Sequence, residues 1–163
     1  MINNSMSTAL IEAIISRNEF LELKDSIDNK DKLILISISE PDHDGYDDEE
    51  LTNADIIGFK DVIRIKFWDI EEDFGNYKTI SDEQGLELQE FILKHIEDTF
   101  LIHCRAGQSR SAGVGKAVEC LKYFGVGDAA KYNYQTGFTS EIDQHPRYTP
   151  NLTVFDKIIQ KGK

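Results

Sequence analysis

The chain has 163 residues, 40% of them hydrophobic and only three of them proline, a length that suits one domain able to bury roughly 70% of its unfolded surface. A formal charge of −12 repels phosphate backbones and anionic headgroups, which argues against nucleic acid and membrane surfaces as partners. Its apolar runs are short and Glu12 interrupts the first of them, so neither a spanning helix nor a secretion signal is expected, and the reading is one soluble cytoplasmic domain over 1–163.

In chain order, Ala9 to Ile15 is apolar and β-branched and reads as a strand, with a helix as the alternative. Ser16-Arg17-Asn18-Glu19 is a capping box, and Phe20, Leu23 and Ile27 follow it at helical spacing. Leu33 to Ile38, apolar except at Ser37, reads as a buried strand, stopped by Pro41. Asp42 to Glu50 is an acidic loop; its glycine is misplaced for a calcium loop, so it reads as solvated and no metal is expected. Val62 to Phe67 alternates with period two and carries Arg64 and Lys66 on its polar face.

Ser81-Asp82-Glu83-Gln84 opens a second helix, with Leu88, Phe91, Ile92, His95 and Ile96 on one face. Phe100-Leu101-Ile102 reads as a central strand. A third helix carries Val114, Ala117, Val118, Leu121 and Phe124 as its stripe, and Thr149-Pro150 supplies an N-cap and first turn for a last helix through Leu152, Phe155 and Ile159. Strands alternating with helices predict an α/β domain: a mostly parallel sheet of four or five strands covered by helices on both faces. Ligands on such sheets bind beyond the carboxyl ends of the strands, which directs attention to the turn after Ile102.

That turn is His103-Cys104-Arg105-Ala106-Gly107-Gln108-Ser109-Arg110-Ser111. A short loop feeding a helix start gathers unpaired backbone N–H groups, and the helix dipole adds positive potential, so the segment suits a tetrahedral oxyanion. Gly107 permits the sharp return of the chain. Arg110, six residues after Cys104, can grip two phosphate oxygens with its planar fork. A thiol in that field is expected to ionise readily, so the nest that binds the anion also makes the nucleophile.

The segment resembles the C-x5-R signature of the cysteine-dependent protein tyrosine phosphatases, of the compact dual-specificity kind found among bacterial and phage members. The resemblance is firm between Val62 and Phe124 and fainter from Leu33 to Lys163. It implies that Cys104 is the nucleophile, that Arg105, Ala106, Gly107, Gln108, Ser109 and Arg110 bind phosphate, and that His103 supports the loop. It implies further that Ser111 stabilises the departing thiolate, and that an aspartate after a preceding strand is the general acid. Asp69, 35 positions before Cys104, fits that place, with Glu71, Glu72 and Asp73 as competitors in the same acidic run. Trp68 beside it is read as a hinge or as a shield of the acid from water.

The implied activity is hydrolysis of phosphotyrosine, and of phosphoserine or phosphothreonine if the cleft is shallow, in a phosphorylated protein or peptide. Alternatives are an inositol phosphate or phosphoinositide phosphatase, a phosphoprotein-binding pseudophosphatase, and a thiol enzyme for another oxyanion such as a sulfurtransferase or arsenate reductase. No nucleotide fingerprint is present, so no cofactor is implied. Cys120 reads as a packed residue too far along its helix to pair with Cys104. His95 reads as a partly buried, satisfied histidine and His145 as a loop residue. Tyr77, Phe138 and Tyr148 are candidate walls for a phenyl ring, though each also suits ordinary packing.

Overall fold

A computed structural model describes residues 10–41, 50–128, 132 and 140–161. The elements in chain order are β1 (Ile11–Ser16), α1 (Arg17–Leu23), a short 3-10 turn (Lys30–Lys32), β2 (Leu33–Ser39) and β3 (Asp61–Lys66). Then come α2 (Asp82–Lys94), β4 (Thr99–Cys104), α3 (Arg110–Tyr123), α4 (Glu141–Gln144) and α5 (Leu152–Ile159). The strands form a sheet in the order β1-β4-β2-β3, every pairing parallel. The expected α/β class and parallel sheet are present.

Each strand of a doubly covered sheet must be apolar on both faces, and β2 and β4 are buried at every position. Ile34, Ile36, Ile38, Phe100 and Ile102 share one face with residues of α2, α3 and α5. Leu35, Leu101 and Ile15 lie in a second cluster with Phe20 of α1 and Leu51. Helices therefore cover both faces. Truncating a side chain such as Ile102, wholly buried at the sheet centre, to alanine would cost about 2–5 kcal/mol.

Both predicted capping boxes form. Ser16 Oγ accepts from Glu19 N while Glu19 Oε1 accepts from Ser16 N, and Ser81 and Gln84 repeat the exchange. Ser16 therefore ends β1 and starts α1 with no intervening loop. That strand is the alternative preferred for the first apolar run; Ala9 itself lies outside the described residues.

Three expectations need correction. Helix α1 stops at Leu23, because Ser26 N and Oγ both donate to the Leu23 carbonyl and close a turn there; Ile27 lies beyond the helix, and Leu23 is 47% exposed. The cap of α5 is Asn151, not Thr149. Its Oδ1 accepts from Thr153 N and Val154 N, both at 3.1 Å, and two satisfied donors outweigh the local preference for proline at the first helical position. With the start displaced, Leu152 becomes half-exposed, and Val154, Phe155, Ile158 and Ile159 form the buried face. Helix α2 ends at Lys94 with His95 as its C-cap, so Ile96 lies beyond the helix, and α3 is buried from Arg110 through Leu121.

The topology prepares a site at one end of the sheet. From β2 the chain proceeds to β3 on one side, yet β4 lies on the other side of β2, between it and β1. Progress along the sheet reverses between β2 and β4, which opens a crevice beyond their carboxyl ends. Cys104 is the last residue of β4, in register with Ser16, and His103 lies opposite Ser37 of β2.

Candidate active site

The loop from Cys104 to Ser109 rests on both ends of the domain. Its carbonyls are taken from outside: Arg105 O accepts from Arg17 N at 3.2 Å, Gln108 O from Thr149 N at 2.8 Å, and Ser109 O from Asn151 N at 3.0 Å. No peptide bond here is cis, so the N–H that follows each of these carbonyls projects the opposite way. The amides of Ala106, Ser109 and Arg110 thereby point away from the supporting segments. Ser109, the N-cap of α3, makes no side-chain cap, so its hydroxyl does not cover the positive dipole end of the helix.

Gly107 is the residue that lets the loop close. Its φ is +69°, and a Cβ there would come within 2.5 Å of the backbone at Ile15 and Ser16, so neither the torsion nor the space admits another residue without movement. The close approach brings Gly107 N to 3.2 Å from Cys104 Sγ, to which it donates. Ser111 Oγ is 3.0 Å from the same sulfur. Cys104 is 2% exposed and unpaired in any disulfide.

His103 does not contact the sulfur through a hydrogen bond among those described. Its Nε2 lies 2.7 Å from Ser37 Oγ and its Nδ1 3.4 Å from the Cys104 carbonyl, and its ring stacks on Phe20 at 5.3 Å. These contacts set the backbone that carries the cysteine.

Arg110 is 3% exposed. NH1 donates to the Phe67 carbonyl at 2.8 Å, and NH2 stands 3.5 Å from Glu40 Oε1. Its Nε is the one buried side-chain polar atom without a partner among the described residues. Arg105, half-exposed on the rim, also faces Glu40, at 3.5 Å; Ala106 and Gln108 are exposed beside it.

Asp69 follows β3 and its exposed side chain reaches the loop: Oδ1 accepts from Ser109 Oγ at 2.8 Å and from Asn151 Nδ2 at 3.0 Å. Its competitors are placed differently. Glu71 Oε2 accepts from Leu152 N at 3.3 Å. Asp73 Oδ1 accepts from Thr79 N at 2.9 Å, and that amide, with Lys78 nearby, holds its carboxyl below the ordinary range. Glu72 is exposed. Trp68 packs edge-on against Tyr77 at 4.8 Å. A groove of about 490 Å³ runs between Asp69, Glu71, Phe74, Ser109 and Pro150.

Cys120 is fully buried, and burial pushes its thiol up to about 11. His95 is held between Asp61 at 2.7 Å and Asp98 at 3.2 Å, and His145 stacks with Tyr148 at 4.7 Å. Tyr148 donates to the Ile14 carbonyl at 3.2 Å and is half-buried against the core. Phe138 and Asp42 to Glu49 lie outside the described residues. No group of His, Cys, Asp and Glu suited to a metal ion occurs among the described residues, and no described helix is long and apolar enough to cross a membrane.

Three partners of the site were not foreseen. Glu40 had the signal of its place, directly after a buried strand on the ligand end of the sheet. Ser37 and Asn151 had none, since each reaches the site only through the tertiary fold. No protein-family model matches the chain, and no curated protein matches it.

Proposed function

We propose that the chain is a cysteine-dependent phosphomonoester hydrolase with the fold of the compact dual-specificity phosphatases, acting on phosphotyrosine in proteins, and on phosphoserine or phosphothreonine as far as the cleft admits them. The observation that carries this reading is the unpartnered Nε of Arg110. A buried guanidinium donor left unsatisfied costs about 1–3 kcal/mol or more, and an oxyanion bound in the loop would remove that cost. The loop amides and the α3 dipole supply the rest of the anion's partners.

In the proposed reaction Cys104 attacks phosphorus, and the S–P bond forms as the bond to the ester oxygen breaks. Asp69 gives its proton to that oxygen as it leaves with the bonding pair. Asp69 then takes a proton from water, whose oxygen attacks the phosphocysteine. The S–P electron pair returns to sulfur, where the Ser111 hydroxyl donates to the thiolate. Arg110 and the loop amides stabilise the charge on the equatorial oxygens throughout.

A protein substrate is favoured over an inositol phosphate because extra phosphates need extra cations. Arg105 is the loop's additional basic residue, and it stands against Glu40, with Glu71 and Glu72 lining the adjoining groove. The test is hydrolysis of p-nitrophenyl phosphate in chelator, wild type beside Cys104→Ser. Vanadate-sensitive turnover that disappears in the variant is expected. Absence of turnover in reduced protein from mildly acidic to neutral pH would favour a phosphoprotein-binding role instead.

A further inference from the structure

We propose that Asn151 is the positioning residue for the general acid, holding the Asp69 carboxylate over the loop from a helix cap that is itself fastened to the loop. The inference rests on the reading of Asp69 as the acid and deepens it by assigning a residue outside the signature.

Asn151 is 3% exposed and every one of its polar groups is engaged. Its backbone N donates to Ser109 O at 3.0 Å, and its carbonyl accepts from Phe155 N at 3.2 Å. Side-chain Oδ1 caps α5 through Thr153 N and Val154 N. Nδ2 donates to Asp69 Oδ1 at 3.0 Å and to the Ile70 carbonyl at 3.1 Å. The orientation of the amide is dictated by these partners, since two N–H groups stand on one side of it and two acceptors on the other. The Asn151 carbonyl also lies 2.6 Å from where a Cβ would stand on Gly113. A glycine in α3 is thus what admits this residue so close behind the loop.

A helix cap alone needs only the oxygen, and serine, threonine or aspartate would supply it. The nitrogen has no capping role. Both its hydrogens are spent on the acid segment, one on the carboxylate and one on the next peptide. Ser109 and Asn151 converge on Oδ1, and among the described residues Oδ2 accepts no hydrogen bond. That leaves Oδ2 as the oxygen to carry the transferable proton. An exposed carboxylate on a loop samples many geometries, and proton transfer requires one of them.

The experiment compares Asn151→Ser and Asn151→Asp with the wild type on two substrates. Both variants keep a capping oxygen and lose the amide donor. Phenyl phosphate needs a protonated leaving group; 2,4-dinitrophenyl phosphate does not. In both variants kcat/KM for phenyl phosphate should fall about 10–100-fold while that for the dinitrophenyl ester falls less than about threefold. Combining Asn151→Ser with Asp69→Asn should cost no more than Asp69→Asn alone, because the amide acts through the acid. An equal fall on both substrates, additive losses, or no change would reduce Asn151 to a cap and overturn the inference. The underlying reading is judged separately. If Asp69→Asn leaves the ratio between the two substrates unchanged, both readings fall; if it shifts the ratio and the Asn151 variants do not, only the role of Asn151 falls. Should Asn151→Ser unfold, Asn151→Asp carries the comparison.

Discussion

Ser111 Oγ lies 3.0 Å from Cys104 Sγ, where the end of β4 faces the first turn of α3, and both residues are buried. In the proposed reaction that hydroxyl serves the sulfur and not the phosphate. Ser111→Ala should therefore slow breakdown of the phosphocysteine more than its formation. The expected result is a burst of nitrophenol followed by a steady rate lowered about 10–100-fold, with kcat/KM changed much less. Stopped-flow absorbance with p-nitrophenyl phosphate measures both phases.

The contrast between Asp69 and Asp73 gives a second outcome. Asp69 is bonded to Ser109 of the loop, whereas Asp73 is turned to Thr79 and held in its charged form. Asp69→Ala should lower turnover of phenyl phosphate by about 10²–10⁴ and flatten the limb of the pH–rate profile that reports the acid. Asp73→Ala should leave both unaltered. The reverse pattern would transfer the role to Asp73.

Reactivity of the two cysteines should differ sharply. Cys120 is buried with its thiol pushed up, so peroxide should modify Cys104 first and abolish turnover, with recovery on adding thiol. Vanadate present during the exposure should protect. Peptide mapping that finds Cys120 oxidised first would overturn the assignment.

Stability towards acid should depend on Asp55. Its carboxyl is held at about 2, from an ordinary value of 3.8, chiefly by the Lys24 ammonium at 2.8 Å and next by the Thr52 amide. A depressed carboxyl adds stability above its unfolded pKa and loses it as pH falls through the folded one. Asp55→Asn should therefore be less stable than wild type at neutral pH, and the gap should close between about pH 4 and pH 2. Urea midpoints across that range would show it; a constant gap would mean that the ion pair contributes nothing.

What could be read without the fold was what is encoded locally. The capping boxes at Ser16 and Ser81 are exchanges between residues three apart, and both formed. The loop from His103 to Ser111 is contiguous, so its strand, turn and helix context was visible at once. Asp69 was assigned through the family resemblance, on its place after a strand, and its side chain does meet the loop. The failures have the opposite character. Nothing local marks Lys116 and Glu119 of α3 for burial, yet Lys116 is buried against Asp143, and Glu119 accepts from Tyr132 and Ser140. Their partners come from 13 to 27 residues further on. Thr149-Pro150 is a sound local start signal, overruled by an asparagine that bonds in three directions at once.

The supports of the loop also govern when the proposed activity could arise during folding. Positions 15 to 17 hold it on one side, position 69 on another and positions 149 to 151 on a third. Such contacts close only after nearly the whole chain has docked, which places them among the long-range pairings that slow folding. Recovery of turnover during refolding should accordingly lag recovery of helical signal. The catalytic rate is then a late reporter of complete assembly, and a fragment missing either outer support would keep the signature intact and be inert.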